Sequence, residues 1–232
     1  MGSKLIFAVP SKGRLMEATT GMLAEGGLEV RKTGSERGYR GEIVDVGDVE
    51  IAFISASEIA NALRIGQVHL GVTGEDLIRE EIADAEKRVK FLKPLGFGHA
   101  DVVVAVPACW IDVRAMEDLD EVAIAFRREH QRRMRVATKY VNLTRRHFSY
   151  FGISDYRIVE SLGATEGTPA AGTAELIVDI TSTGTTIRAN GLKQIGGGTI
   201  LKSEANLIES RMAEWTPELR AVQNDILKRL GI

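Results

Sequence analysis

Short apolar runs alternate with amphipathic stretches along the whole chain, and the alternation predicts strands that feed helices. Residues 4–10 (KLIFAVP) read as a first strand, followed by the basic turn Ser11-Lys12-Gly13-Arg14. A helix then runs from about Leu15, with Leu15, Ala18, Met22 and Leu23 near one face, and stops at Gly26-Gly27. Strands are predicted over 42–46 and 50–54, a helix over 57–64 and a strand over 68–72. The next helix carries Glu75 and Asp76 in its first turn, where acids suit the positive end of the helix dipole. Strands follow over 102–106, 122–125 and 135–137, then a helix over 141–151 that ends at Gly152, and a strand over 157–161. Residues 191–204 read as a strand pair. Thr216-Pro217-Glu218 opens a last helix, with Thr as N-cap, Pro at its first position and Leu219, Val222, Ile226 and Leu230 as the buried stripe.

The stretch AELIVDITSTGTT, Ala174 to Thr186, stands apart. Leu176, Ile177, Val178 and Ile180 surround one acid, Asp179, and the apolar run then gives way to hydroxyls and glycine. This reads as a buried strand with a loop, Thr181 to Thr186, at its carboxyl end. Such a loop offers backbone N–H groups and several hydroxyls to one anion, with Gly184 permitting close backbone approach. The acid before it accepts hydrogen bonds from sugar hydroxyls, so the pair reads as a grip for a ribose 5-phosphate. Ser, Thr and Gly also populate ordinary hydrophilic turns, and the loop alone leaves both readings open. The Lys-Gly-Arg turn at 12–14 is open in the same way, between an anion site at a helix N-terminus and a solvated turn.

Strands alternating with helices, with polar loops at the strand ends, predict a parallel or mixed α/β sheet whose ligands sit outside the carboxyl ends of strands. Composition narrows the function classes. Of 232 residues, 44% are hydrophobic and 27% charged, and 30 basic against 32 acidic residues leave a net charge of −2. That balance argues against general nucleic-acid binding or a polybasic membrane surface. One cysteine, Cys109, excludes an intramolecular disulfide, and the four histidines (His69, His99, His130, His147) show no metal-ligand spacing. The first apolar stretch is too short for a signal peptide and the longest, Val102 to Ile111, too short to span a bilayer. A cytoplasmic protein is expected.

At this point spaced residues carry a resemblance. Glu166, Gly172, Ala174, Glu175, Ile177, Asp179, Thr183, Gly184 and Thr186 stand in register with a signature of the ATP phosphoribosyltransferase family, which opens histidine biosynthesis. PSKGRL, GVTGEDLI, RVATKY and IRANGL are similar to further segments of that family, so the likeness covers nearly all of residues 4–200. Three positions depart from it. Residue 175 is Glu where the family usually has Asp, and residue 187 is Ile where Leu or Met is usual. Ser55 and Ser57 stand where many relatives place basic residues, which leaves Arg37, Arg40 and Lys139 as candidates to supply that charge.

The resemblance implies two α/β lobes like a type II periplasmic binding protein, with the active site in the inter-lobe cleft. By analogy, residues 1–95 with 186–232 form one lobe, and 96–185 the lobe carrying the phosphoribosyl loop. Chain length resembles the family's short form and implies a homodimer that also joins a histidyl-tRNA-synthetase-like regulatory subunit. The implied reaction joins ATP to 5-phosphoribosyl 1-diphosphate: adenine N1 attacks the anomeric carbon and diphosphate leaves, with Mg²⁺ arriving on the diphosphate and no protein metal cage. Thr183, Gly184, Thr185 and Thr186, with Thr181 and Ser182, are expected to hold the 5-phosphate. Asp179 is expected to hold the ribose hydroxyls and favour the developing cation. Lys12, Gly13, Arg14 and Arg40 are expected at diphosphate or ATP phosphates, with Lys139 and Glu166 as further binding residues. The rival readings are a phosphoribosyltransferase for another base, a non-catalytic two-lobed binding protein, and a catalytically dead subunit. The basic run FRREHQRRMR is either a docking surface or a solvated face.

Overall fold

The computed structural model describes residues 4–33 and 39–232. The chain divides into two units, residues 1–98 with 204–232 and residues 99–203. The first unit contains β1 (Leu5–Pro10), α1 (Gly13–Glu25), β2 (Val30–Lys32), β3 (Arg40–Ile43), β4 (Val46–Ile54), α2 (Ala56–Ile65), β5 (Leu70–Gly74), α3 (Glu75–Glu81), α4 (Ala85–Arg88) and β6 (Val89–Pro94). The second contains β7 (Ala100–Pro107), α5 (Asp118–His130), β8 (Met134–Thr138), α6 (Val141–Tyr150), β9 (Tyr156–Glu160), β10 (Leu176–Thr181), α7 (Thr185–Ala189) and β11 (Leu192–Ser203). The chain then returns to the first unit for β12 (Ala205–Ser210) and α8 (Pro217–Arg229).

The first sheet has the order β2-β3-β4-β1-β5-β12-β6, with β1 parallel to both β4 and β5. Its central strand, β1, is buried on both faces, which is why it reads as an unbroken apolar run. Leu5, Phe7 and Val9 pack with Leu23 of α1 and with Leu219 and Ile226 of α8. Ala8, between them, faces Ile59 and Leu63 of α2 and Ile78 of α3. The second sheet has the order β11-β7-β10-β8-β9; β10 is parallel to β8 and β8 to β9, whereas β7 runs against β10 and β11. Val102, Val104, Leu176 and Val178 meet Leu119 of α5 and Phe148 of α6 on one face, and Val103, Ala105 and Ile177 meet Ile187 of α7 on the other.

Four expectations differ from the structure. Residues 122–125 lie inside α5: Leu119 and Ala123 are buried, Val122 and Phe126 pack beside them, and this 3.6-residue stripe extends beyond the four apolar positions that suggested a strand. The charge order agrees, with Asp118, Asp120 and Glu121 in the first turn and Arg127, Arg128 and His130 in the last. The expected strand pair over 191–204 is the single strand β11, whose register against β7 shifts between Gln194 and Thr199 and again before Leu201. Gly196, Gly197 and Gly198 occupy the irregular stretch, where Gly197 takes φ +70°. Because β11 belongs to the second sheet and α7 packs on it and on β10, the chain returns to the first unit at 203/204 rather than at 185/186. The helix expected from residue 57 begins one residue earlier, with Ser55 as its cap.

Ser55 thereby has an occupation of its own. Its hydroxyl accepts the Glu58 N–H at 3.3 Å and its N–H donates to the Glu58 carboxylate at 2.8 Å, a reciprocal capping box at the start of α2. Ser57 is exposed on the first turn. Ser55→Ala is expected to cost about 1 kcal/mol in urea unfolding. Ser57→Ala is expected to stay within about 0.5 kcal/mol; equal losses would contradict the capping role.

Candidate active site

Three side chains of the sequence-derived set converge in the second unit because of strand register. β10 pairs with β8 through Leu176 opposite Val136 and Ile177 opposite Ala137. Two residues further along, Asp179 lies level with Lys139 on the same face, since side chains alternate with period two. A one-turn 3-10 segment, Thr165–Gly167, brings Glu166 to the same strand end, and the residue before it, Ala164, takes the left-handed φ of +49°. A non-glycine residue pays of order 1 kcal/mol for that conformation.

The electrostatics follow from this grouping. Asp179 is half-buried, and burial raises its carboxyl above the ordinary aspartate range. The Ile180 N–H, bound at 2.8 Å, and the positive charge of Lys139 oppose the rise, while the negative charge of Glu166 adds to it. Lys139 is exposed, with its ammonium 4.8 Å from the centre of the Tyr140 ring.

Beyond Asp179 the strand ends and the hydroxyl loop begins. The Gly184 N–H donates to Thr181 Oγ1 at 2.9 Å, and the Thr185 N–H to Thr183 Oγ1 at 3.4 Å. The hydroxyls of Thr183 and Thr185 lie 2.9 Å apart, and Ser182 donates to the His99 carbonyl at 3.0 Å. Gly184 sits at φ +69°, which is why glycine stands there. The loop's own hydroxyls thus occupy amides that an incoming anion would compete for. Thr183, Thr185 and Thr186 are exposed or partly so. Arg188, which the sequence reading did not single out within IRANGL, folds back over this loop. Its guanidinium donates to the Thr183 carbonyl at 3.1 Å and to Thr185 Oγ1 at 3.4 Å. The signal was present: an arginine four residues after a loop glycine, at the spacing that returns one helical turn.

In the first unit, Lys12 and Arg14 are exposed beside Gly13, whose φ is +72°. Lys12 is the N-cap of α1 and supplies no side-chain cap, in contrast to Ser55 of α2. Neither cation forms an ion pair with a described residue. Arg40 forms an exposed ion pair with Glu50 at 3.1 Å, and its own strand partner, Ala52, lies opposite Ala8, two residues before Pro10. Arg37 lies outside the described residues. Glu75, in the first turn of α3, pairs with Arg79 at 2.6 Å, and Asp76 beside it is buried.

Glu175 is a clamp. It receives Arg135 and Arg132, with side-chain contacts of 2.7 and 2.9 Å, and the Arg135 N–H at 2.6 Å. Four of the five arginines of the basic run are therefore engaged internally, Arg132 and Arg135 on Glu175 and Arg127 and Arg133 on Asp155. His69 is also structural: Nδ1 accepts the Ile6 N–H at 3.0 Å and Nε2 meets the Glu214 carbonyl at 3.1 Å. Among the described residues no group of three His, Cys, Asp or Glu side chains comes together to hold a metal ion, and no helix is long and apolar enough to cross a membrane.

The profile of one family, described as ATP phosphoribosyltransferase, matches residues 55–231. An ATP phosphoribosyltransferase of Bradyrhizobium diazoefficiens is 59% identical over 231 residues, which are 100% of this chain and 71% of that protein. The chain belongs to the ATP phosphoribosyltransferase family. It is thereby a pentosyl-transferring enzyme of the first step of histidine biosynthesis. Among solved structures, an ATP phosphoribosyl transferase (HisG:HisZ) complex from Thermotoga maritima superposes with a TM-score of 0.75 at 24% identity, over 98% of this chain and 96% of that one. The arginine-, lysine-, histidine-binding protein ArtJ of Geobacillus stearothermophilus gives 0.55 at 11% identity, over 99% and 88%. The fold is accordingly the two-lobed, type II periplasmic-binding-protein-like one.

The clamp predicts an acid-dependent loss of stability. Burial alone would raise the Glu175 carboxyl, but the hydrogen bonds from Arg135 and Arg132 outweigh it and hold it down to about 2. A carboxyl depressed on folding stabilises the fold above its unfolded value of about 4.3 and loses that contribution as pH falls toward 2. Solvent screening of the partly open arginines brings the contribution to on the order of 2 kcal/mol. Glu175→Gln is expected to lower unfolding free energy by that order at pH 7, with the gap to the parent closing between about pH 4.3 and 2. A gap independent of pH in urea melts would refute the clamp.

Proposed function

We propose that this chain transfers the phosphoribosyl group of 5-phosphoribosyl 1-diphosphate to N1 of ATP, with the 5-phosphate on the loop Thr181 to Thr186 and the ribose hydroxyls on Asp179. Family membership supports the reaction, and the grouping of Asp179, Lys139 and Glu166 at the strand end before the hydroxyl loop supports these roles. Adenine N1 already holds a lone pair, so the step needs no strong general base. What it needs is stabilisation of a cationic sugar and a departing anion, by fixed charge and by position.

Asp179 supplies a half-buried negative charge toward the sugar, where low dielectric strengthens its effect on a developing cation. Lys139 receives phosphate or diphosphate oxygens and restrains the rise in the Asp179 pKa. Glu166 accepts a hydroxyl hydrogen bond. Thr183, Thr185 and Thr186 donate hydroxyls to the 5-phosphate, aided by Thr181, Ser182 and the Gly184 backbone. Lys12, Gly13, Arg14 and Arg40 receive diphosphate or ATP phosphates, Arg40 by exchanging its exposed pair with Glu50 for phosphate oxygens. Mg²⁺ when bound screens the diphosphate charge. The available donors, two carboxylates near one another without a third ligating group among the described residues, suit an ion held mainly by substrate oxygens. The assembly we propose is a homodimer that joins a histidyl-tRNA-synthetase-like regulatory subunit in the cytoplasm, as in the short form. The similarity to the catalytic fold of the Thermotoga maritima HisG:HisZ complex supports the second component.

Turnover of ATP and 5-phosphoribosyl 1-diphosphate with Mg²⁺, read as diphosphate release and product absorbance, tests the reading. The parent chain is expected to form product, and Asp179→Asn to lose about 10²-fold or more in kcat/KM. A loss under about tenfold removes Asp179 from the mechanism. The acid limb of kcat/KM is expected above the ordinary aspartate range, because burial raises Asp179 and the carboxylate is the working form. Lys139→Ala removes an opposing positive charge and should move that limb to higher pH; Glu166→Gln removes a repelling negative charge and should move it lower. A limb that ignores both substitutions would assign the titration elsewhere.

A further inference from the structure

A second concave surface opens in the 99–203 unit, at the opposite end of its sheet from Asp179. β9 is an edge strand, and a groove of about 620 Å³ lies against its first half, lined by Arg133, Arg145, Ser149, Ser154, Tyr156 and Arg157 among others. Tyr156 pairs with Met134 at the start of β8, whereas Lys139 follows the end of that strand, so the two regions are separated by the length of β8.

The charge of this groove is one-sided. Asp155 beside it takes Arg127 at 2.5 Å and meets Arg133 at 3.8 Å. Arg145 and Arg157 form no ion pair with a described residue, and the hydroxyls of Ser149 and Ser154 have no hydrogen-bond partner there. Guanidinium groups gathered at one cavity repel one another, a cost that a bound anion reverses. Arginine forks fit phosphate oxygens in pairs, and a volume of this size lies in the range of small-ligand pockets, ~300–1,000 Å³. The half-buried Tyr156 ring adds an apolar wall.

We propose that this groove is a second anion site, which takes the polyphosphate group of a small phosphorylated molecule. The same chemistry comes from a nucleotide or from inorganic polyphosphate. The test is isothermal titration of the full chain, and of an Arg145→Ala/Arg157→Ala variant, with inorganic tripolyphosphate, with ADP and with adenosine. Each titration is repeated with excess 5-phosphoribosyl 1-diphosphate to fill the strand-end site. Tripolyphosphate is expected to bind the filled parent chain and to bind the filled variant at least tenfold more weakly, with turnover in the variant within twofold of the parent. ADP binding that weakens in the alanine variant as tripolyphosphate binding does marks a nucleotide source, and ADP binding equal in parent and variant an inorganic one; adenosine, without phosphates, is expected to bind parent and variant alike. An Arg145→Lys/Arg157→Lys variant, which keeps the charge, should retain part of the affinity and covers the case in which the alanine variant does not fold. Equal tripolyphosphate affinity in parent and alanine variant, or none in the filled parent chain, would overturn the proposal. Binding of poly-glutamate alone would overturn it in favour of a protein-docking surface.

Discussion

The register between β8 and β10 is the constraint on which the candidate site depends. With Ile177 opposite Ala137, Asp179 falls level with Lys139, and the hydroxyl loop begins two residues later at the sheet's end. A slip of one residue would turn Asp179 to the other face, toward the packed side of α5 and α6. Two features hold the register. Leu176 and Val178 on one face and Ile177 on the other are fully buried, so a slip would expose none of them to water but would mismatch both cores. At the strand's start, Glu175 is tied by side chain and backbone to Arg135 at the start of β8. The charge pair that looks remote from chemistry thus fixes the level at which the chemistry is presented.

Each unit uses the same device with a different polarity. In the first, β1 delivers a glycine turn with two cations, neither paired with a described acid, to the start of α1, whose side-chain cap is missing. In the second, β10 delivers a half-buried carboxylate followed by hydroxyls. Cations without an acid partner and amides satisfied only by local hydroxyls are both open to exchange with phosphate oxygens, and both come at the carboxyl ends of parallel strands, where α/β folds place ligands. Arg188 belongs to this account as a positioning residue that braces the loop backbone through the Thr183 carbonyl.

Much of this was legible from residue order. Strands buried on both faces appear as unbroken apolar runs, so β1, β7 and β10 were readable, and Thr216 with Pro217 announced α8. What escaped reading was set by pairing rather than by pattern. β6 and β12 run antiparallel to one another in a sheet assembled from distant segments, and their chain order does not announce it. Residues 122–125 look like a strand until Leu119 and Phe126 extend the stripe to helical spacing. The ion pair of Arg40 with Glu50, which lies diagonally across the β3–β4 ladder, was equally unannounced by residue order. Ser55 looked like a lost cation, and its hydroxyl instead caps α2. The apolar-to-hydroxyl switch in AELIVDITSTGTT located Asp179 and the Thr-Gly-Thr-Thr loop, while the left-handed Ala164 and the folded-back Arg188 became visible only as geometry.

The measurement that bears most directly on the central claim is a crystal structure of the chain with 5-phosphoribosyl 1-diphosphate bound. The 5-phosphate is expected among Thr183, Gly184, Thr185 and Thr186, with the Thr181 and Thr183 hydroxyls released from the loop amides and Asp179 on the ribose hydroxyls. A 5-phosphate held by Lys12 and Arg14, with the threonine loop unchanged and Asp179 away from the sugar, would contradict it.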